Sequence, residues 1–302
     1  MTDLLESAPR ICVICGPAAI ERGRRFASEC LPNAQEKILS ERAEGEAIEF
    51  RFMASDCFTD DCKDALAPLQ EQGLDAMVGP AADRRKSLLI CDMDSTVIEQ
   101  ECLDELADFA GLKAEVSAIT ERAMAGELDF EAALTERVGM LDGLSLDALE
   151  ACFEERITLT PGAKALVSTM KKHGAHCLLV SGGFTFFTAR VADAAGFEGN
   201  FANVLLDDGK SLTGEVARPI LGRAAKKERL EIELGQLSLE ASASLAMGDG
   251  ANDLAMIEAS GLGIAFHAKP IVAAAADAAI QHGDLRTALY YQGYSDAEIV
   301  VD

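Results

Sequence analysis

The stretch KSLLICDMDSTVIEQE, Lys86–Glu101, decides how the chain is read. Leu88 to Cys91 is a short apolar run with no polar face, which predicts a strand buried on both sides, as in a parallel sheet. It runs straight into Asp92, Asp94, a Ser-Thr pair, and then Glu99 and Glu101. A buried strand needs only a turn residue to stop. Four carboxylates within ten positions point to chemistry.

Two later segments repeat the design: CLLVSGGF, ending around Ser181, and SLAMGDGAND, ending around Asp249. From Pro161-Gly162 onward apolar strands alternate with helices. A helix is expected over 163–173, then the strand HCLLV ending in SGGF, and another helix. A hairpin over Ala202 to Val216 follows, then a helix after Pro219, the strand SLAMGDG, the helix NDLAMIEAS and the strand GLGIAF. Such alternation predicts a doubly wound parallel sheet, which gathers its ligands at the strand C-terminal ends. Asp92, Asp94, Ser181, Asp249, Asn252 and Asp253 can therefore converge although they lie up to about 160 positions apart. Several carboxylates in one cluster cannot all stay ionised without a cation. Oxygen donors of this kind suit Mg²⁺, while the choice between Mg²⁺ and Mn²⁺ stays open.

That set has the parts for phosphoryl transfer. Uncatalysed phosphomonoester hydrolysis needs acceleration of up to about 10²¹-fold, and a carboxylate nucleophile splits the step in two. Asp92, at the strand end, can attack phosphorus. Asp94 can protonate the leaving oxygen and later take a proton from water, which requires its pKa to rise well above about 3.9 through burial and neighbouring carboxylates. Ser181 and its glycine-rich turn offer a hydroxyl and backbone N–H donors at a helix start. A lysine for the phosphoryl oxygens is available in AAKKERL, as Lys226 or Lys227.

Upstream, residues 102–157 read as helical throughout, with acidic faces and breaks at Gly111, Gly126 and Gly143. Residues 11–79 give the order strand (ICVICG), helix (17–30), strand (34–40), strand (AIEFRFM), helix (60–72), strand (GLDAMVG). This is the β-α-β-β-α-β order of ferredoxin-like domains. A Gly-Pro turn and ADRRK mark a boundary near 80–86. The expected division is a unit over 1–80 and a second over 81–302, with core segments 86–101 and 158–302 enclosing a helical cap at 102–157.

Composition narrows the partners. The 302 residues carry 51 acidic and 27 basic side chains, a net charge of −24, which disfavours nucleic acid and anionic lipid. A small phosphorylated ligand would be repelled too unless its site carried local cations. At 49% hydrophobic residues and a mean hydropathy of +0.11, the chain is globular. It shows no apolar run long enough to span a bilayer and no secretory leader, and nine cysteines, an odd number, fit reduced thiols in a cytoplasm. Cys12 and Cys15 have metal-pair spacing but sit on a strand, where positions three apart face opposite ways, so they read as small buried hydrophobes. His173, His176, His267 and His282 lack metal-ligand spacing and read as structural.

The ordered series Asp92-Met93-Asp94-Ser95-Thr96, Ser181-Gly182-Gly183, a lysine after GRAA and GDGAND from Gly248 resembles the motif series of the haloacid dehalogenase-like phosphatases. Glu101, TERVGML around Arg137, the whole SGGF and AFHAKP make it most similar to the members that hydrolyse O-phospho-L-serine, over roughly residues 86 to 295, about two-thirds of the chain. The resemblance implies Asp92 as nucleophile and Asp94 as general acid and base. Mg²⁺ would be held by Asp92, Asp249 and the Asp94 backbone carbonyl. Ser181 and Lys226 would bind the phosphoryl group, with Asn252 and Asp253 orienting metal-bound water and the lysine. Glu101 would pair with the substrate ammonium and Arg137 with its carboxylate, while Phe130 lines the pocket and Gly182 offers a backbone contact. Glu99 is left as a surface residue. The implied activity is hydrolysis of phosphoserine to serine and phosphate, the last step of serine synthesis. A related phosphatase or phosphotransferase on another small ester, such as phosphohomoserine chemistry, is the enzymatic rival. The rival from another class is an amino-acid-responsive regulator with a vestigial phosphatase half. Some relatives carry an ACT-like domain where residues 1–80 stand, so a structural or homodimer-forming role there stands beside serine sensing.

Overall fold

The computed structural model describes residues 8–31, 33–42, 45–54, 65–124 and 127–301. Gly126 and the expected helical residues 60–64 lie outside them. The N-terminal part comprises β1 (Ala8–Gly16), α1 (Ala19–Cys30), β2 (Gln35–Arg42), β3 (Gly45–Ala54), a helix α2 over residues 65–71 and β4 (Asp75–Pro80). Its four strands form an antiparallel sheet in the order β2-β3-β1-β4. This is the ferredoxin-like arrangement that the element order predicts, and only that order carries the ACT-like label.

Strand alternation gives this sheet two apolar faces. Cys12 and Ile14 of β1 pack with Phe26 of α1 and with Ile48 and Phe50 of β3. Ile11, Val13 and Cys15 point the other way, into a core that continues through Leu289, Tyr290 and Tyr291 in α12 (Thr287–Tyr291). Cys12 and Cys15 thus lie buried on opposite faces. The junction is also polar. Asp75, 1% exposed, accepts from the backbone N–H of Gln281 at 2.7 Å, His282 at 3.2 Å and Gly283 at 2.6 Å. A carboxylate meeting several backbone donors in this way fixes a loop firmly.

The second sheet is parallel, six-stranded and ordered β12-β11-β10-β5-β6-β7. Its strands are β5 (Leu88–Cys91), β6 (His176–Phe184), β7 (Gly199–Asn203), β10 (Ser244–Gly248), β11 (Leu262–Phe266) and β12 (Ala278–Ile280). β5 is central. Leu88 and Ile90 pack on one face with Leu230 and Met256, while Leu89 and Cys91 face the other core, which explains a strand with no polar side. Helices α7 (Ala163–Lys172), α8 (Thr185–Ala195), α9 (Arg223–Leu237), α10 (Leu254–Ala259) and α11 (Pro270–Ala275) alternate with the strands.

Between β5 and α7, beyond the short loop over Met93–Val97, the described residues form the α-helices α3 (Cys102–Phe109), α4 (Lys113–Met124), α5 (Phe130–Gly139) and α6 (Leu146–Arg156). Two expectations are corrected. Ala202 and Asn203 belong to β7 in the large sheet, so the hairpin is confined to β8 (Leu205–Asp207) and β9 (Leu212–Val216). It leans on the helical insertion: Gly143 N–H donates to Leu212 O at 2.9 Å, and Ser145 bridges Ser211. Second, SGGF is not a turn into a helix, because β6 stays extended to Phe184, which pairs with Asn203, and α8 begins only at Thr185. Ser181 therefore presents its hydroxyl from a strand.

Candidate active site

Register brings the three polar strand ends together. Cys91 pairs with Met247 on one side and Leu179 on the other, so Asp92, Asp249 and Ser181 emerge one or two residues later on a single edge. The chain crosses to opposite sides of β5 here, where open parallel sheets form their ligand crevice. The crevice is a cleft of about 280 Å³ walled by Asp92, Asp94, Ser181, Asp249 and Asn252 below and by Glu101, Phe130 and Arg137 above.

Asp92 is 4% exposed. Its N–H donates to Met247 O at 2.9 Å, and its Oδ1 accepts from Met93 N–H at 2.7 Å. Its Oδ2 meets Lys226 Nζ at 2.7 Å, and the same ammonium reaches Asp253 Oδ1 at 2.5 Å. Burial alone would depress the Lys226 pKa, but Asp92 and Asp253 outweigh it and hold the lysine charged. Lys227 points outward to Glu231 at 3.5 Å, so the inward lysine of the pair is Lys226. Asp253 is fully buried, with its Oδ2 accepting from Gly250 N–H at 3.0 Å. It packs so closely on Gly248 that any Cβ there would collide with its carboxyl, which explains the first glycine of GDGAND.

After Asp92 the chain makes a tight loop closed by Ile98 N–H to Met93 O at 3.0 Å, with Ser95 in the left-handed region at φ 53°. This turns Asp94 inward. Its Oδ1 accepts from Cys102 N–H at 2.8 Å, and its Oδ2 accepts from the Ser181 hydroxyl at 3.1 Å. Burial, then the charge of Asp92, raises the Asp94 pKa, while the bonds from Cys102 and Ser181 oppose the rise. Gly183 N–H donates to Ser181 Oγ at 2.8 Å, and a Cβ on Gly183 would press on both Asp94 and Ser181.

Asp92, Asp249 and Asp253 place one carboxylate oxygen each within 4.8 Å of one another. The Asp249 pKa is pushed up to about 6, chiefly by burial and then by Asp92, against the pull of Lys226. Asp253 has both oxygens engaged, whereas Asp249 accepts no hydrogen bond from another described residue. Asp249 is therefore the carboxylate of the three left open to a divalent cation, with Asp92 beside it at the strand end, and hard oxygen donors of this kind fit one. The Asp94 side chain is directed away, toward Cys102 and Ser181.

The roof comes from the helical insertion. Glu101 Oε1 accepts from the Ser95 hydroxyl at 2.7 Å, and burial, followed by Asp94, pushes its pKa up to about 7. Arg137, on α5, donates through Nε to Ala133 O at 3.4 Å. Burial lowers its pKa while Asp104 and then Glu101 raise it, and Arg137 and Glu101 wall the same cleft. The Phe130 ring lies over Gly182 and Gly222, near enough to touch a Cβ built on either. Glu99 hydrogen-bonds the Thr158 hydroxyl at 3.0 Å, away from the cleft.

Residues 89–258 match the haloacid dehalogenase-like hydrolase family. The chain belongs to that family. A relative from Schizosaccharomyces pombe, described as a probable phosphoserine phosphatase, is 44% identical over 216 residues, 71% of this chain and 72% of its own. A haloacid dehalogenase family hydrolase from Salmonella enterica serovar Typhi superposes with a TM-score of 0.85 at 29% identity, over 93% of this chain and 98% of that one. Its likeness therefore extends into the N-terminal sheet. A phosphoserine phosphatase solved as a phospho-aspartyl intermediate analogue is 40% identical with a TM-score of 0.63, over 68% of this chain and 99% of that one.

In this haloacid dehalogenase-like chain some positioning residues carry no sequence signal of their own. Buried Asn203 donates to Gly182 O at 2.8 Å and accepts from Leu221 N–H at 2.7 Å, tying β7 to the Ser181 strand and to the approach of α9. A polar residue ending a strand was its one clue. Ser95 and Cys102 hold Glu101 and Asp94 through contacts six and eight residues apart. Lys269 also walls the cleft, three residues past the end of β11 and within the AFHAKP segment.

Proposed function

We propose that the protein is a Mg²⁺-dependent phosphomonoesterase that hydrolyses O-phospho-L-serine to L-serine and phosphate through an aspartyl phosphate, the last step of serine synthesis. The observation that carries this reading is the pairing of two sets of groups across one cleft. The floor holds a carboxylate beside a buried lysine, and the roof holds both a carboxylate and a guanidinium. Phosphoserine offers a phosphate to the first set and an ammonium and a carboxylate to the second. The names of several relatives point to the same substrate.

Asp92 attacks phosphorus, forming an oxygen–phosphorus bond as the bond to the serine oxygen breaks. Asp94, whose pKa burial and the charge of Asp92 raise, gives its proton to that departing oxygen. Water then attacks the phosphorus of the aspartyl phosphate while Asp94 takes the proton, releasing phosphate and restoring Asp92. Ser181 keeps Asp94 aimed, and Lys226 offsets charge on the phosphoryl oxygens. Asp92, Asp249 and the Asp94 backbone carbonyl would hold Mg²⁺, which supplies further neutralisation of the phosphoryl charge when bound. Asn252 orients the attacking water, and Asp253 orients Lys226. Glu101 receives the substrate ammonium, Arg137 grips its carboxylate, Gly182 offers its backbone, and Phe130 shuts out water.

A homodimer through the N-terminal sheet would use the β2 edge, because one face carries α1 and the other packs against α12. The substrate assignment is tested by steady-state rates on a panel of phosphomonoesters including phosphohomoserine. The expected kcat/KM favours phosphoserine by more than about tenfold, or ~1.4 kcal/mol. A smaller preference contradicts the assignment.

A further inference from the structure

We propose that Lys269 is a further phosphate-binding residue, the cation that draws the substrate dianion into the cleft and retains inorganic phosphate before release. The proposal rests on reading the cleft as a phosphomonoesterase site, and it concerns a residue outside the aspartate, serine and lysine set derived above.

Charge makes the need plain. A protein of net charge −24 repels a phosphorylated anion, and the cleft floor adds the carboxylates of Asp92 and Asp249. Lys226 does little for an approaching ligand, because its ammonium is 3% exposed and held at 2.7 Å and 2.5 Å by two carboxylates. Among the described residues that wall the cleft, the cations are Arg137 and Lys269. Arg137 stands in the roof opposite Glu101, where it meets the carboxylate end of the substrate. The remaining wall cation is Lys269, which shares the Asp249 side of the cleft.

Position supports the same role. Lys269 follows β11 and is exposed. Among the described residues no hydrogen bond or ion pair engages its ammonium, so the charge is available to a ligand. It also walls a second hollow of about 560 Å³ that shares Asp249 with the cleft and is bounded further by His267, His282 and Asp284. Lys269 and Asp249 therefore stand at the partition between two open spaces. A flexible ammonium there can accompany phosphate from the reacting carboxylate toward solvent while the roof stays over the serine end. The second hollow is lined further by Glu99 and the Ser95 hydroxyl, and Lys269 is the lysine in its wall.

The test uses the full-length, Mg²⁺-loaded protein and the variants Lys269→Met and Lys269→Arg. Inhibition by inorganic phosphate is measured against whichever phosphomonoester the enzyme turns over, at low ionic strength and at about 0.5 M salt. For Lys269→Met the expected results are a phosphate inhibition constant weakened about fivefold and a kcat/KM lowered about as much, with the loss falling on KM. Lys269→Arg keeps both near wild type, and salt narrows the gap between the Met variant and wild type. An unchanged phosphate constant in Lys269→Met at low salt overturns the proposal, as does a loss confined to kcat. Circular dichroism and a melting curve establish that the variant is folded, and Lys269→Gln replaces it if it is not. A preference for an ester other than phosphoserine would overturn the substrate assignment, while the phosphate constant judges Lys269 separately.

Discussion

The two large sheets of this molecule are built from similar apolar strands and do different work. In the N-terminal sheet neighbouring strands run antiparallel, so consecutive strand ends fall on opposite edges and no set of polar ends accumulates. In the parallel sheet β5, β6 and β10 all finish on one edge, and a short polar extension on each is enough to assemble a site. Strand direction, rather than strand composition, decides which of the two sheets carries chemistry. The antiparallel half contributes instead through its faces and through Asp75, which anchors the loop 281–283.

The contrast is broken most sharply at Asp94. Asp94→Asn removes the proton donor while keeping an acceptor for Cys102, so turnover should fall about 10²- to 10⁴-fold with the melting temperature little changed. In the wild type, kcat/KM should decline as pH rises through the raised pKa of Asp94, because the protonated form is the one that serves the first step. A profile that instead climbs across that range would remove Asp94 from the acid role. Arg137→Ala comes next. It should raise KM for phosphoserine by about tenfold or more, and much less for an ester lacking a carboxylate. Equal effects on both esters would take Arg137 out of substrate recognition. The smallest effect on chemistry belongs to the antiparallel half. Asp75→Ala leaves the N–H groups of residues 281–283 without their carboxylate, so chemical denaturation should show a loss of about 2 to 3 kcal/mol. Turnover per folded molecule should stay within about twofold; a deep loss would mean that the joint reaches the reacting groups.

The architecture was largely legible because each of its signals is local. Leu88 to Cys91 has no polar face, 102–157 repeats at helical spacing, and the polar strand ends of DMD, SGGF and GDGAND announce one edge. What escaped was set by partners distant in sequence. β6 continues through SGGF because Phe184 pairs with Asn203, a contact that no local pattern encodes. Ala202 and Asn203 join the large sheet for the same reason. Lys226 and Lys227 look alike in sequence, and only the side of α9 that faces Asp92 and Asp253 separates them. Asn203, Asp75 and Lys269 are single polar residues whose roles exist only once two remote segments meet.

The central claim is that Asp92 becomes covalently phosphorylated. Rapid acid quench of the Mg²⁺-loaded enzyme during turnover of phosphoserine, followed by peptide mass spectrometry, tests it directly. The expected result is one phosphoryl group on the peptide bearing Asp92, absent from Asp92→Asn, whose turnover is abolished. An Asp92→Asn variant that kept even about a tenth of wild-type activity, a loss of only about 1.4 kcal/mol, would contradict the assignment. So would a phosphoryl group found on any other residue.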